Sequence, residues 1–192
     1  MNAERLAAQF PQVKWDASTG SWIVPHHILL DVAQFLRNDP EFCMDMLSNV
    51  TGVDWLSARV KVRGEDGKET EQERPGYLEV IYHFFSVIAK QGPIVLRCRT
   101  DGRETPMIPS LTPLFRSAEF QEREIFDLFG IVFGGHPDLR RILMWDEFKD
   151  FPMRKDYVEP DDYEWEPTPH DEVLEKARRH APSSPPTATH GS

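Results

Sequence analysis

Cysteine, clustered positive charge and long apolar runs are what this chain of 192 residues has least of. Only Cys43 and Cys98 are present. They stand far apart among apolar neighbours and are read as small buried thiols of a reducing compartment. Two thiols are too few for an ordinary thiolate-bound iron–sulfur cluster. No run approaches the ~18 apolar residues of a membrane-crossing helix. Met1-Asn2-Ala3-Glu4-Arg5 lacks the basic region and apolar stretch of a secretion signal. Neither G-x-G-x-x-G, G-x-x-x-x-G-K-[ST] nor G-x-S-x-G occurs, so dinucleotide, P-loop and nucleophile-elbow chemistry have no support.

Charge is plentiful, but its sign is uneven. Nine of the 32 acids fall between Asp156 and Glu175, a stretch without Lys or Arg. The remaining 23 acids face 22 bases, so the net charge of -10 belongs to one C-terminal segment. That excludes the basic footprint of a nucleic-acid binder and favours a basic protein partner or a solvated tail.

Val13 to Trp15 and Ser21 to Val24 flank a turn-rich loop and predict a hairpin. Leu29, Val32, Ala33 and Leu36 recur at helical spacing, with Pro25 before them and Asp39-Pro40 after. Strands are expected around Leu47 to Trp55 and Tyr77 to Val87, joined by a hydrophilic, flexible loop that includes Gly64 to Glu69. Ile94, Leu96 and Cys98 alternate with Val95, Arg97 and Arg99, which predicts a strand with one wet face. Thr112-Pro113 suits a helix start, and a helix interrupted near Ser117 should end at Gly130. The order predicts an α+β fold: a two-layer domain over residues 1–147 with a mixed sheet packed by helices. An extended acidic and aromatic arm over 148–180 and a disordered Pro/Ser/Thr-rich tail over 181–192 would follow.

The densest chemistry lies in Glu122-Arg123-Glu124-Ile125-Phe126-Asp127-Leu128-Phe129-Gly130 and Gly135-His136-Pro137-Asp138-Leu139-Arg140-Arg141-Ile142-Leu143. On a helix, Glu119, Arg123 and Asp127 form an acid-base-acid column. Glu122 sits close to the apolar side and needs a partner, for which Arg140 and Arg141 are the candidates. Arg123 and Asp127 stay open between pairing within the fold and contact with another chain. Paired acids on one short helix, with an arginine between them, poorly suit a general acid/base hydrolase. His136 lacks the companions of a metal site and is read as a hydrogen-bonded loop histidine; adjacent His26 and His27 point apart. Arg154-Lys155-Asp156-Tyr157 is a second charged knot, able to hold a partner carboxylate or to pair with the acids that follow. Trp145, Tyr157 and Trp165 are candidate interface anchors, with core packing the competing role for Trp145.

These residues closely resemble the thirty-kilodalton-subunit family of respiratory complex I, a family of NADH–quinone oxidoreductase components. The family pattern maps onto Glu122-Arg123-Glu124, Asp127-Leu128-Phe129, His136, Arg140 and Ile142-Leu143 without mismatch. Gly-His-Pro-Asp-Leu-Arg-Arg and Pro-x-Arg-Lys-Asp-Tyr, around Asp138, Arg141, Arg154, Lys155 and Asp156, also fit. Asp150 stands where the family usually has Gly, and Met153 where Leu is usual. The resemblance implies a peripheral subunit on the cytoplasmic side of the inner membrane, attached through the complex only. Its neighbours would be the large quinone-pocket subunit and the subunit with the last iron–sulfur cluster. The chain itself would carry no flavin, cluster, metal or nucleotide, while the complex moves electrons from NADH to quinone and pumps protons. The equivalent subunit of a membrane-bound hydrogenase-type complex, a free-standing carboxylate hydrolase and an autonomous scaffold are the rival readings.

Overall fold

The computed structural model describes residues 2–63 and 69–158. Helix α1 (Asn2–Gln9) opens the chain, followed by the hairpin β1 (Lys14–Asp16) and β2 (Ser21–Pro25). A single 3-10 turn at His26–Ile28 leads into α2 (Leu29–Asn38), whose Leu29, Val32, Ala33 and Leu36 are all buried. Strands β3 (Met46–Trp55), β6 (Tyr77–Ser86) and β7 (Gln91–Arg99) complete a five-stranded sheet in the order β1-β2-β7-β6-β3. Only the β2–β7 pair is parallel, so the sheet is mixed. This is the expected α+β architecture.

Alternation along the strands sends Val24, Val80, Tyr82, Phe84, Leu96 and Cys98 into the core with the helices. The long helix α3 (Ala118–Phe129) packs on β3 at Gly52, where an added Cβ would lie 2.7 Å from the Phe129 ring. Glycine permits that closeness. Gln121 also accepts the Val50 N–H at 2.7 Å, and Ser117 donates to the Leu47 carbonyl at 2.8 Å. Side chains of α3 thereby occupy polar groups on an edge strand that would otherwise seek another strand.

Four expectations need correction. The hydrophilic segment between β3 and β6 forms an antiparallel hairpin, β4 (Ala58–Arg63) with β5 (Glu69–Arg74). Its ladder sets Arg59 and Lys61 opposite Glu73 and Glu71, a cross-strand charge complementarity masked by the overall polarity. Residues 64–68, all but the last of the 64–69 stretch within the loop expected to be flexible, lie outside the described residues.

The second face of β7 is not wet at Arg97. Its guanidinium is buried between Asp16 at 3.1 Å and Glu79 at 2.7 Å. Glu79, fully buried, also accepts from Arg99 and from the Trp55 indole, so both of its oxygens are satisfied. A desolvated carboxylate requires that company.

Thr112-Pro113 lies in turns; the interruption expected near Ser117 is the start of α3 itself. Cys98 is buried, but Cys43 only partly so. Helix α1 escaped prediction because only Leu6, with Ala7 and Phe10 beside it, packs on the core.

Strands β8 (Met107–Pro109) and β9 (Val132–Gly134) form a small parallel ribbon with α3 as the crossover between them. That unit presents the site. Residues up to Tyr157 make one compact unit; the unit from Val158 onward lies, after its first residue, outside the described residues, as do the expected tail and Trp165.

Candidate functional site

Helix α3 carries almost every residue of the first motif, and its C-terminus is set by Gly130 at φ +74°. A helix leaves its last carbonyls without intrahelical donors. Here each finds one. The Phe126 carbonyl accepts from Gly130 N, and that of Asp127 from Arg141 at 3.0 Å. The Leu128 carbonyl accepts from Met153 N at 3.1 Å, and that of Phe129 from Arg154 Nε at 2.7 Å. The helix end is therefore closed by two later stretches of chain, residues 136–144 and 150–157.

The acid-base-acid column holds the first of these stretches. At Glu119 the backbone carbonyl meets His136 Nε2 at 3.0 Å. Because His136 Nδ1 accepts the Asp138 N–H, Nε2 is the protonated nitrogen and donates. One turn later, the buried Arg123 donates to the carbonyls of Arg140 and Arg141, both at 3.2 Å. After another turn, Asp127 Oδ2 accepts three consecutive backbone N–H groups, from Ile142, Leu143 and Met144, at 2.9, 2.7 and 2.8 Å. Asp127 Oδ1 takes Arg141 at 2.6 Å. Burial alone would raise the pKa of Asp127, but these donors outweigh it and hold the carboxyl below its ordinary range.

Glu122 departs from expectation. It is fully buried and accepts from Ser110 Oγ at 2.6 Å and Leu111 N at 2.8 Å, with no arginine on it among the described residues. Desolvation pushes its pKa up to about 7 against those two hydrogen bonds. Glu124 is exposed on the same helix, and Arg140 turns outward onto Asp138 at 2.9 Å.

The second knot is also tied to the domain. Arg103 grips Asp54 through two bonds of 3.0 and 2.7 Å and reaches Asp156 at 2.7 Å. Lys155 N donates to Asp54 Oδ2, and its ammonium lies over the Trp55 ring. Phe151 fills the space above Gly130, where a Cβ would come within 2.5 Å of its ring. Asp150 keeps a negative φ, so a residue other than glycine meets no strain in that turn.

Large apolar side chains also stand outside, among the exposed charges of Asp138, Arg140, Asp146, Glu147 and Lys149. Leu143 is 61% and Met153 55% exposed, with Ile142 and Trp145 near 38–39%. Glu122, Arg123 and Asp127 face inward and are satisfied, whereas Glu124, Asp138 and Arg140 share the surface with Ile142 and Leu143. Among the described residues no group of His, Cys, Asp and Glu is disposed to hold a metal. Neither Glu122 nor Asp127 reaches solvent, so the two cannot serve a substrate as acid and base.

The description "Respiratory-chain NADH dehydrogenase, 30 Kd subunit" matches residues 22–163. The chain belongs to that family. As a member it is a subunit of NADH–quinone oxidoreductase, respiratory complex I. The C subunit of NADH-quinone oxidoreductase from Roseiflexus sp. (strain RS-1) is 40% identical over 162 residues, 80% of each chain. The C subunit from Ruegeria pomeroyi is 37% identical over 148 residues, 76% of this chain and 64% of that one. A Bacteroides fragilis protein, named as a C/D subunit of the same oxidoreductase, is 40% identical over 121 residues, 63% of this chain and 21% of that one.

Within this family member, the motif from Glu122 to Leu143 is a set of staples between one helix and the strap that crosses it. Several partners of those staples were invisible in the sequence. Ser110 and Leu111 precede Glu122 by about a dozen residues, outside helical reach, and only the β8–α3 connection brings them together. Asp54 and Arg103 stand 49 residues apart, and no local pattern links them.

Proposed function

We propose that the chain is a cofactor-free structural subunit of the peripheral arm of proton-pumping NADH–quinone oxidoreductase. It works by docking, and its contact surface is the apolar ridge of Ile142, Leu143, Trp145 and Met153. The supporting observation is at the strap: Asp127 and Arg123 fix the backbone of residues 140–144 from within, the Leu128 carbonyl holds Met153 N, and the side chains of Ile142, Leu143 and Met153 are left outside with the adjacent Trp145. A ridge with a fixed backbone loses little entropy on binding. Exposed aromatic and aliphatic residues held that way are the usual anchors of an interface.

The neighbour we favour is the large subunit that helps form the quinone pocket, with the subunit bearing the last iron–sulfur cluster close by. The relative named as a C/D subunit supports the first choice. This chain matches only 21% of its length, leaving room for a second subunit in the same polypeptide. Attachment at the cytoplasmic side of the inner membrane would come through the complex. No helix of the described residues is long and apolar enough to cross a bilayer.

The test replaces Leu143 and Trp145 singly by Glu in the cell. Each variant should give a folded chain by circular dichroism, with complex I depleted on native gels and NADH:quinone activity falling in proportion. Normal assembly of both variants would defeat the docking surface. Normal assembly with lost turnover would instead argue for chemistry in this chain.

A further inference from the structure

We propose that the cleft at the carboxyl ends of β2 and β7 binds a carboxylate-bearing segment of a neighbouring polypeptide, an acidic residue followed by an apolar one. It is a second contact point, sharing no residue with the strap and its ridge. Strands β2 and β7 run parallel and finish side by side at Pro25 and Arg99. Two cavities of about 330 and 310 Å³ open there, with His26 and Asp101 common to both.

The walls of the two lobes differ in kind. Lys14, Arg99, His27, Gln12 and Thr100 line the first. Arg99 spends its Nε on Glu79 and lies over the Tyr77 ring, and among the described residues no acceptor meets its terminal amino groups or the Lys14 ammonium. The nearby carboxylates are already committed. Glu79 is buried under Arg97, Arg99 and Trp55, and Asp16 accepts from Ser18, Thr19 and Arg97. Among the described residues Asp101 is the one acid on the wall, and it faces His26 Nε2 at 3.2 Å. His27 Nε2 is engaged with Gln12. The lobe therefore has more donors than acceptors, and its complement is an acceptor-rich anion.

The second lobe decides which anion. Met107, more than half exposed, stands there with Pro109 and Gly134 from the β8–β9 ribbon. A free inorganic anion gains nothing from an apolar wall, whereas an apolar residue next to an acid in a chain buries its side chain there. Most of the lining belongs to paired strands and the 3-10 turn, so the cleft needs little ordering to bind.

The test titrates the full chain, labelled with ¹⁵N, against acetyl-Glu-Leu-amide at millimolar concentrations and follows backbone amide resonances. Acetyl-Gln-Leu-amide, acetyl-Lys-Leu-amide and inorganic phosphate are run alongside. The acidic probe should shift the amides of Lys14, His27, Thr100, Asp101 and Met107. It should bind at least about fivefold more tightly than the Gln probe. Lys14→Glu should weaken the acidic probe by a similar factor and favour the Lys probe, while the rest of the spectrum reports an intact fold. Equal binding of the Glu and Gln probes, or indifference to Lys14→Glu, overturns the proposal. Phosphate binding as tightly as the acidic probe, without shifts at Met107, overturns the polypeptide occupant in favour of a free anion.

Discussion

Glu122 and Asp127 sit five residues apart on one helix, both fully buried, and their environments pull them in opposite directions. Asp127 has four donors, one of them cationic, and is held charged. Glu122 has two neutral donors, and burial lifts it to about 7. The folded chain thus holds the Glu122 proton more tightly than the unfolded chain, where the group titrates at its ordinary 4.5. Its contribution to stability is full below that lower value and is lost as pH rises through about 7, by at most about 3 kcal/mol. Glu122→Gln keeps an acceptor for Leu111 N and should remove this slope, so urea unfolding of the two proteins should converge near pH 4.5 and diverge in the variant's favour by pH 8. Parallel pH profiles would refute the assignment. Asp127 runs the other way: its contribution is present above the ordinary carboxylate range and disappears on acidification below it. Asp127→Asn leaves some of the three backbone N–H groups and Arg141 poorly satisfied and should cost about 2–4 kcal/mol at neutral pH by the same unfolding measurement.

Something must close the C-terminus of α3. Gly130 does so twice, through its positive φ and through the Phe151 ring that occupies the place of a side chain. Gly130→Ala should therefore cost about 1–2 kcal/mol for the backbone and more for the displaced ring. Phe151→Ala should relieve only the second part, so the double variant should be less destabilised than the sum of the singles. Additive losses would show that ring and glycine act separately. Gly130 was legible as a cap because an αL position after an apolar helix selects glycine. The stripe of α2 and the inward set Ile94, Leu96 and Cys98 of β7 were legible because period reports burial. Phe151 was not, because nothing at residue 151 says which carbonyls and which glycine its turn will cover. The hairpin β4–β5 was missed because its pairing is written in opposed charges and its apolar content is thin. In the strap, the sequence placed Glu119, Arg123 and Asp127 on one helix face, but it could not show that backbone groups of residues 140–144 would take up the two charges.

At the scale of the whole molecule, the domain and its acidic segment carry separable information. Residues up to Tyr157 form a unit with its own core, and nine acids lie between Asp156 and Glu175, with Trp165 among them. On the docking function proposed above, such composition would supply long-range attraction for a basic partner surface and an aromatic anchor once contact is made. Ending the chain after Val158 should accordingly leave the melting temperature of the remaining domain within a few degrees of the full chain. In cells the shortened chain should enter complex I less efficiently, and the deficit should shrink when three of the removed acids and Trp165 are restored on a short C-terminal extension. Its association in vitro with isolated complex lacking this subunit should also lose most of its salt dependence, because exposed charges act over about a Debye length of 8–10 Å. If the shortened chain assembles as well as the full one and keeps the same salt dependence, the acidic segment is a solvated appendage. The ridge at Leu143 and Trp145 would then carry more of the docking, and Leu143→Glu in the shortened background would abolish assembly.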